Sequence, residues 1–193
     1  KNAIRPVTST NEPSAATTNV PHPQEAPKPD VALIVSSVPA AIAGTFTTNV
    51  FKAAPVVHAT TALKAAGPNA RVRAILTNSG CANAVTGQQG LEDTQTLVNR
   101  VQALLSPRNQ NAIPTYEQDA RSSSTDVLMM STGVIGVRLP VAHIQRCLEH
   151  LAAPSILQSH PDAWLEAARA YMTTDTFPKI RTRQFILGNR RCS

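Results

Sequence analysis

The sequence lacks the features that mark membrane-spanning and metal-binding proteins. None of its apolar runs approaches the roughly 20 residues that a helix needs to cross a bilayer, so no membrane partner is expected. The three cysteines are odd in number and have no metal-ligand spacing, which favours reduced thiols in an intracellular compartment. The five histidines form no i,i+4 pair and no HExxH motif. The sequence therefore predicts no structural metal.

Charged and aromatic side chains are also sparse. Charged residues make up 16% of the 193 residues and hydrophobic ones 42%, a balance typical of a globular rather than a disordered chain. The length suffices for one domain or a large part of one. Only 4% of the residues are aromatic, so we expect a core of small, closely packed side chains.

Several catalytic motifs are missing as well. There is no GxSxG nucleophile elbow, no Cys–His pair by motif and no paired-carboxylate motif. A Walker phosphate loop is also absent, because the glycine-bearing stretch at residues 78–90 lacks a following Gly-Lys-Ser/Thr. These absences leave no nucleophile–base pair that the sequence identifies by itself.

The net charge of +6 permits nucleic-acid binding, but the distribution of charge does not favour it. The basic residues are scattered, apart from a group of arginines near the last residue that shows no alternation of aromatic and basic residues: Arg181, Arg183, Arg190 and Arg191. We interpret this group as a solvated edge or a subunit contact and expect no nucleic-acid partner. A non-catalytic basic module for nucleic acid or an acidic partner is the alternative function.

Proline is plentiful at the start of the chain. Six prolines within residues 1–29 deny regular hydrogen bonding, so this segment is expected to be irregular. Residues 30–193 are expected to form the ordered domain. Apolar or β-branched runs predict strands at Val31–Val35, Thr45–Phe51, Arg71–Thr77 and Val127–Met130, with Pro55–His58 as a short continuation of the second.

Helices are predicted between these strands. Their apolar stripes cover Thr60–Ala66, Leu91–Leu105, a segment from Pro140 to Leu151, and Asp162–Met172, with a short helical turn around Tyr116–Ala120. Gln184–Leu187 and the following Gly188-Asn189 turn predict a hairpin. The alternation of strands and helices indicates an α/β fold.

Three polar loops follow predicted elements, at residues 78–90, 131–136 and 173–176. In the second loop, the Thr132 hydroxyl and the Gly133 N–H can converge on one oxygen, as an oxyanion hole requires. A Thr-Gly turn that stabilises its own backbone is the simpler interpretation. The third loop, which starts at Thr173, can bind a polar substrate or bond to its own helix end. Lys179 and His58 could each bind a ligand or simply face water, and the sequence does not decide between the two.

Four segments together resemble one family. Residues 78–90, NSGCANAVTGQQG, resemble its NSGNANACTGxxG signature, and STGVIGVRLP at 131–140 resembles its STGVIGxxLP. MTTDTFPK at 172–179 resembles MTTDTxPK, and AGTFTTNVFKAAPV at 43–56 resembles AGVFTxNxxxAAPV. The family is ornithine acetyltransferase, also called the bifunctional arginine biosynthesis proteins. Cys81 stands where Asn is commoner, and Val85 where Cys is commoner.

The resemblance implies an acetyltransferase with a self-processing fold of mixed β-sheets layered with helices. Members transfer an acetyl group from N2-acetylornithine to glutamate, and many also accept acetyl-CoA; no other cofactor is implied. By resemblance, Thr132 and Gly133 form the oxyanion hole and Thr173 binds substrate. The nucleophile is the N-terminal threonine of a β chain, released when the precursor cleaves itself at an Ala-Thr bond.

That threonine lies beyond Ser193 in the family's pattern, so residues 30–193 are expected to be the α-chain portion of the acetyltransferase domain, inactive alone. A hetero-oligomer of α and β chains is implied. The expected location is the mitochondrial matrix for a fungal protein and the cytoplasm for a bacterial one. A related self-processing aminopeptidase is the alternative enzyme.

Overall fold

A four-stranded mixed sheet organises the computed structural model, which describes residues 4–9, 28–106 and 126–192. Its strands are β1 (Ile4–Ser9), β2 (Val31–Ala41), β3 (Arg71–Asn78) and β4 (Val127–Ser131), arranged in that order. β2 runs antiparallel to both β1 and β3, whereas β3 and β4 are parallel. The carboxyl ends of β3 and β4 therefore lie at the same edge of the sheet.

Helices cover both faces of this sheet. Alternate residues of β2, β3 and β4, among them Leu33, Leu76 and Met129, form the main core with α2 (Gly87–Leu105) and α3 (Val141–Leu151). Ala32 faces the other way and packs on α4 (Pro161–Ala170), and Leu128 packs on α1 (Ala54–Ala66). The expected architecture of a mixed sheet layered with helices is confirmed.

Most of the predicted elements are present with shifted ends. The three strands predicted from apolar runs become β2, β3 and β4, and the hairpin is present as β5 (Phe185–Leu187) and β6 (Arg190–Cys192). α2 begins at Gly87, four residues before its first predicted apolar residue. A one-turn 3₁₀ helix at Gly67–Asn69 follows the end of α1. The helical turn predicted around Tyr116–Ala120 lies outside the described residues.

Three predictions of local structure are wrong. Ile4–Ser9 is not irregular but pairs with β2 as an outer strand, where a proline such as Pro6 can be accommodated. Thr45–Phe51 is not a strand: the Thr47 hydroxyl accepts from Asn49 N–H at 3.1 Å, and the Asn49 side chain from Phe51 N–H at 2.9 Å. These local bonds take the place of a partner strand.

Pro55–His58 is helical, because it forms the first turn of α1. A proline there loses no helical hydrogen bond, since the first N–H groups of a helix have no partner within it. Within the ranges that the structure describes, no helix combines the length and apolarity needed to cross a membrane.

Candidate functional site

The candidate site begins where β3 and β4 end side by side. Asn78 and Ser131 are partners in the parallel register. The Ser131 hydroxyl donates to Asn78 Oδ1 at 2.6 Å, and Asn78 Nδ2 donates to the Cys81 carbonyl at 3.0 Å. The buried Asn78 side chain thus ties both loops to the end of the sheet. Ligand sites in open α/β sheets form at carboxyl edges of this kind.

Backbone hydrogen bonds continue between the two loops beyond the strands. Thr132 N–H donates to the Asn78 carbonyl at 3.0 Å, and Val134 N–H donates to the Gly80 carbonyl at 2.9 Å. Ala82 N–H donates back to the Val134 carbonyl, also at 2.9 Å. The first two of the three predicted polar loops therefore form one connected platform.

Gly133 is the position where the two loops come closest. Its φ of +129° lies in a region that side-chain-bearing residues rarely adopt. A Cβ there would overlap the Gly80 carbonyl group and lie 2.8 Å from Cys81 N. Only glycine fits this contact without moving the platform.

Two hydrogen-bond donors remain unused on the platform. Among the residues that the structure describes, neither the Thr132 hydroxyl nor the Gly133 N–H has a partner, and both residues are half-buried. The Thr132 N–H is already bonded to Asn78. A turn that used the Thr132 hydroxyl to stabilise its own backbone would show that bond, and the described residues contain none. The arrangement offers adjacent donors to an external oxygen.

Side chains in the rest of the 78–90 loop make hydrogen bonds within the loop and to α2. Asn83 is fully buried, and its Nδ2 donates to the Gly90 carbonyl at 3.0 Å and to Thr94 Oγ1 at 2.9 Å. Thr86 Oγ1 donates to Asn83 Oδ1 at 2.8 Å. A Cβ at Gly90 would overlap the Thr86 hydroxyl. These contacts hold the second half of the loop against the first turns of α2.

An ion pair anchors the far end of the second loop. Arg138 donates from Nε and Nη2 to the two oxygens of Asp93, at 3.1 and 2.9 Å. Asp93 lies on α2 and is only 4% exposed. The loop is thus fixed at Asn78 on one side and at α2 on the other. No local sequence pattern marks this pair, because its partners are 45 residues apart.

Thr173 lies on the exposed loop that follows α4. Its N–H donates to Asp175 Oδ2 at 3.2 Å, and Lys179 pairs with Asp175 Oδ1 at 2.5 Å. The bond from Lys179, together with the Thr173 N–H, lowers the pKa of Asp175. Lys179 is therefore paired with a carboxylate of its own loop.

Lys28 links this third loop to the platform. Its ammonium donates to Ser79 Oγ at 3.0 Å and to the Met172 carbonyl at 2.8 Å. Sequence reasoning gave Lys28 no role, and no local signal marks it, because its partners are 51 and 144 residues away.

An apolar cavity of about 360 Å³ opens beside the platform. The cavity is lined by residues 43–46, by part of α1, and by Met130, Ser131 and Tyr171. Burial raises the pKa of the Tyr171 hydroxyl, so this group is protonated and can donate a hydrogen bond at neutral pH.

His58, on α1, is partly buried, and its Nδ1 has no hydrogen-bond partner within the described part of the chain. Burial lowers its pKa and favours the neutral imidazole. No described hydrogen bond joins His58 to Thr132, Gly133 or Thr173.

Many large apolar side chains around the loops are exposed. Ile135 is 64% exposed and Val134 57%, and Phe46, Phe51, Val137 and Phe177 are exposed as well. The hairpin strand β5 also has three exposed apolar side chains, Phe185, Ile186 and Leu187. Where exposed apolar side chains form one patch, they mark protein interaction sites.

Comparisons with known proteins agree on one family. The model of the ArgJ family matches residues 14–193. The chain is 44% identical over 166 residues to the mitochondrial arginine biosynthesis bifunctional protein ArgJ of Postia placenta, covering 83% of this chain and 33% of that protein. It is 45% identical over 159 residues to the same-named protein of Paracoccidioides brasiliensis, covering 82% and 31%. The chain thus spans about a third of the length of the curated relatives that it matches.

Solved structures with a similar fold carry related names. The arginine biosynthesis bifunctional protein of Bacillus halodurans superposes with a TM-score of 0.70 at 24% identity, covering 98% of this chain and 82% of that one. Ornithine acetyltransferase of Mycobacterium tuberculosis, solved in complex with ornithine, gives a TM-score of 0.63 at 35% identity, covering 77% and 69%.

Proposed function

The chain belongs to the ArgJ family, and from that membership we propose that it supplies the oxyanion-hole side of an acetyltransferase site in arginine biosynthesis. The reaction is acetyl transfer from N2-acetylornithine to glutamate. The observation that carries the proposal is the pair of unused donors, the Thr132 hydroxyl and the Gly133 N–H, on a platform fixed by Asn78.

The transfer proceeds through an acetyl-enzyme. The hydroxyl of a threonine downstream of residue 193 attacks the acetyl carbonyl, and its proton passes to a base, for which the α-amine of that threonine is suited. Negative charge develops on the carbonyl oxygen, which Thr132 and Gly133 stabilise. The C–N bond then breaks as the base returns its proton to the nitrogen, and ornithine leaves. The amine of glutamate attacks the ester carbonyl and gives a proton to the base. The C–O bond to the threonine breaks as the base returns that proton to the hydroxyl, which releases acetylglutamate and regenerates the threonine.

Thr173 binds the amino-acid substrate in this proposal. Its loop is held by Asp175 and connects through Lys28 to the platform, so a substrate held there lies on an element tied to the oxyanion hole. Acetyl-CoA is a further candidate donor, and the reaction needs no bound cofactor.

The partner is the β chain of the same precursor, and the two chains form a hetero-oligomer. The exposed apolar side chains around the loops, such as Ile135 and Phe51, and the open apolar cavity support a large contact surface. Residues 30–193 form the α-chain portion of the domain. Alone, they do not transfer acetyl groups. The fungal relatives are named mitochondrial, which supports a mitochondrial location for this protein.

The test is an acetyl-transfer assay on the protein expressed in its full natural length. Acetylornithine labelled in the acetyl group is mixed with glutamate, and we expect labelled acetylglutamate and a labelled threonine at the start of a cleaved β chain. Peptide hydrolysis without acetyl transfer would favour the aminopeptidase instead. An uncleaved, unlabelled protein that transfers nothing would refute the proposal.

A further inference from the structure

We propose that Lys28 is a positioning residue that holds the Thr173 loop at a fixed place relative to the Thr132–Gly133 platform. The proposal rests on the proposed function for its meaning in catalysis. Its structural basis is the set of bonds made by the Lys28 ammonium, which joins two segments that the chain keeps far apart.

One end of this link is the carboxyl end of α4. Lys28 Nζ lies 2.8 Å from the Met172 carbonyl oxygen and 3.4 Å from that of Arg169. The Arg169 carbonyl lies in the last turn of α4, where partial negative charge favours an ammonium group, and it also accepts from Met172 N–H at 3.1 Å. Met172 lies two residues beyond the end of the helix. The Met172 carbonyl belongs to the peptide whose N–H is that of Thr173, so the lysine fixes the plane of this peptide.

The other end of the link is the platform. Lys28 Nζ donates to Ser79 Oγ at 3.0 Å, and Ser79 is 8% exposed. Ser79 stands between Asn78, which holds Ser131, and Gly80, whose carbonyl accepts from Val134 N–H. A movement at Ser79 is therefore passed to the backbone that packs against Gly133.

Lys28 bonds directly to both segments, to Ser79 in the 78–90 loop and to the Arg169 and Met172 carbonyls at the end of α4. An ammonium has three N–H groups, and Lys28 has four acceptors in reach, the fourth being the Pro29 carbonyl at 3.0 Å. Partial burial lowers the pKa of Lys28, while Asp30 and Asp175 act in the opposite direction. Lys28 is nevertheless exposed, so its ammonium lies at the surface within reach of these four acceptors.

The test compares Lys28→Met with Lys28→Arg in the protein of full natural length. Methionine keeps the length and loses every donor, whereas arginine keeps charge and donors. Lys64→Met is the matched control, because Lys64 is exposed on the last turn of α1. We expect Lys28→Met to raise KM for acetylornithine about tenfold, the size of one charge-assisted hydrogen bond, with kcat within about twofold. Lys28→Arg should restore most of the loss.

Amide hydrogen exchange supplies a second readout that does not need activity. We expect the Thr173 amide of Lys28→Met to exchange about tenfold faster than that of Lys64→Met. Adding Ser79→Ala to Lys28→Met should change neither readout further. Equal KM values and equal exchange in Lys28→Met and Lys64→Met would overturn the proposal, as would a lower melting temperature with both readouts unchanged. If the wild type transfers no acetyl group, the proposed function fails, and exchange at Thr173 alone decides the role of Lys28.

Discussion

Two residues of the platform, Gly133 and Asn78, make contacts that hold its two loops together. Gly133 permits the contact with Gly80, and the Asn78 side chain bonds both loops. Thr132 and Gly133 could be chosen as candidates from the sequence, because they follow an apolar strand. Lys28 and Arg138 could not, because a residue's distant partners leave no local pattern.

Replacement of Gly133 by alanine tests the close contact of the loops. We expect Gly133→Ala to lower the free energy of unfolding by about 3 kcal/mol, because strain at positive φ and overlap with the Gly80 carbonyl add together. Gly188→Ala, at φ +60° with open space around it, should cost only about 1 kcal/mol. Urea unfolding of both variants provides the measurement, and equal losses would contradict the contact.

The Thr173 loop has a pH dependence that follows from Asp175. Its folded-state pKa is lowered by Lys179 and the Thr173 N–H, so the order that Asp175 gives the loop is present above the ordinary aspartate pKa of 3.8. It is lost as the pH falls through the lower folded value. A carboxyl NMR titration should place Asp175 below 3.8, and Lys179→Met should move the midpoint upward. An unchanged midpoint in Lys179→Met would count against the ion pair.

Among the strands, those buried between helices could be predicted from the sequence. β2, β3 and β4 have apolar runs that become buried between helices, so their periodicity and length identify them. Thr45–Phe51 has equally good β-formers, but it has no partner strand among the residues that the structure describes, and strand preference depends on such a partner. The strand at Ile4–Ser9 was missed for the opposite reason, because its pairing with β2 outweighs the proline at position 6.

The ion pair between the second loop and α2 is open to a matched comparison. Arg138→Met leaves the buried carboxylate of Asp93 without its charged partner, whereas Arg100→Met breaks a pair with Glu149 in which both side chains are well exposed. We therefore expect Arg138→Met to unfold at a clearly lower urea concentration than Arg100→Met. If both variants unfold at the same concentration as the wild type, the pair does not anchor the loop.

At the scale of the whole molecule, the apolar surface around the site is the dominant feature. The +6 charge with scattered basic residues allows association with an acidic partner as an alternative, whereas large apolar side chains such as Ile135 and Phe177 are exposed beside the loops. The chain spans about a third of the length of the curated relatives that it matches. We propose that the remaining part of such a protein covers this apolar surface.

Association with the β chain should therefore depend on apolar contacts at this surface. Ile135 is 64% exposed, so Ile135→Asp should leave this chain folded while weakening its retention of the β chain. Ala65→Asp, on an exposed position of α1, serves as the control. Co-purification through a tag on this chain measures the effect, and full retention of the β chain by Ile135→Asp would remove Ile135 from the interface.

The Thr132 hydroxyl is the group on which the proposed chemistry most depends. Its direct test is the kcat of acetyl transfer by Thr132→Ala and Thr132→Ser in the protein of full natural length. We predict that Thr132→Ala lowers kcat by about 10²- to 10³-fold with little change in KM, the loss expected for one oxyanion-hole donor. Thr132→Ser, which keeps the hydroxyl, should stay within about tenfold of the wild type. A Thr132→Ala variant with the kcat of the wild type would contradict the oxyanion hole.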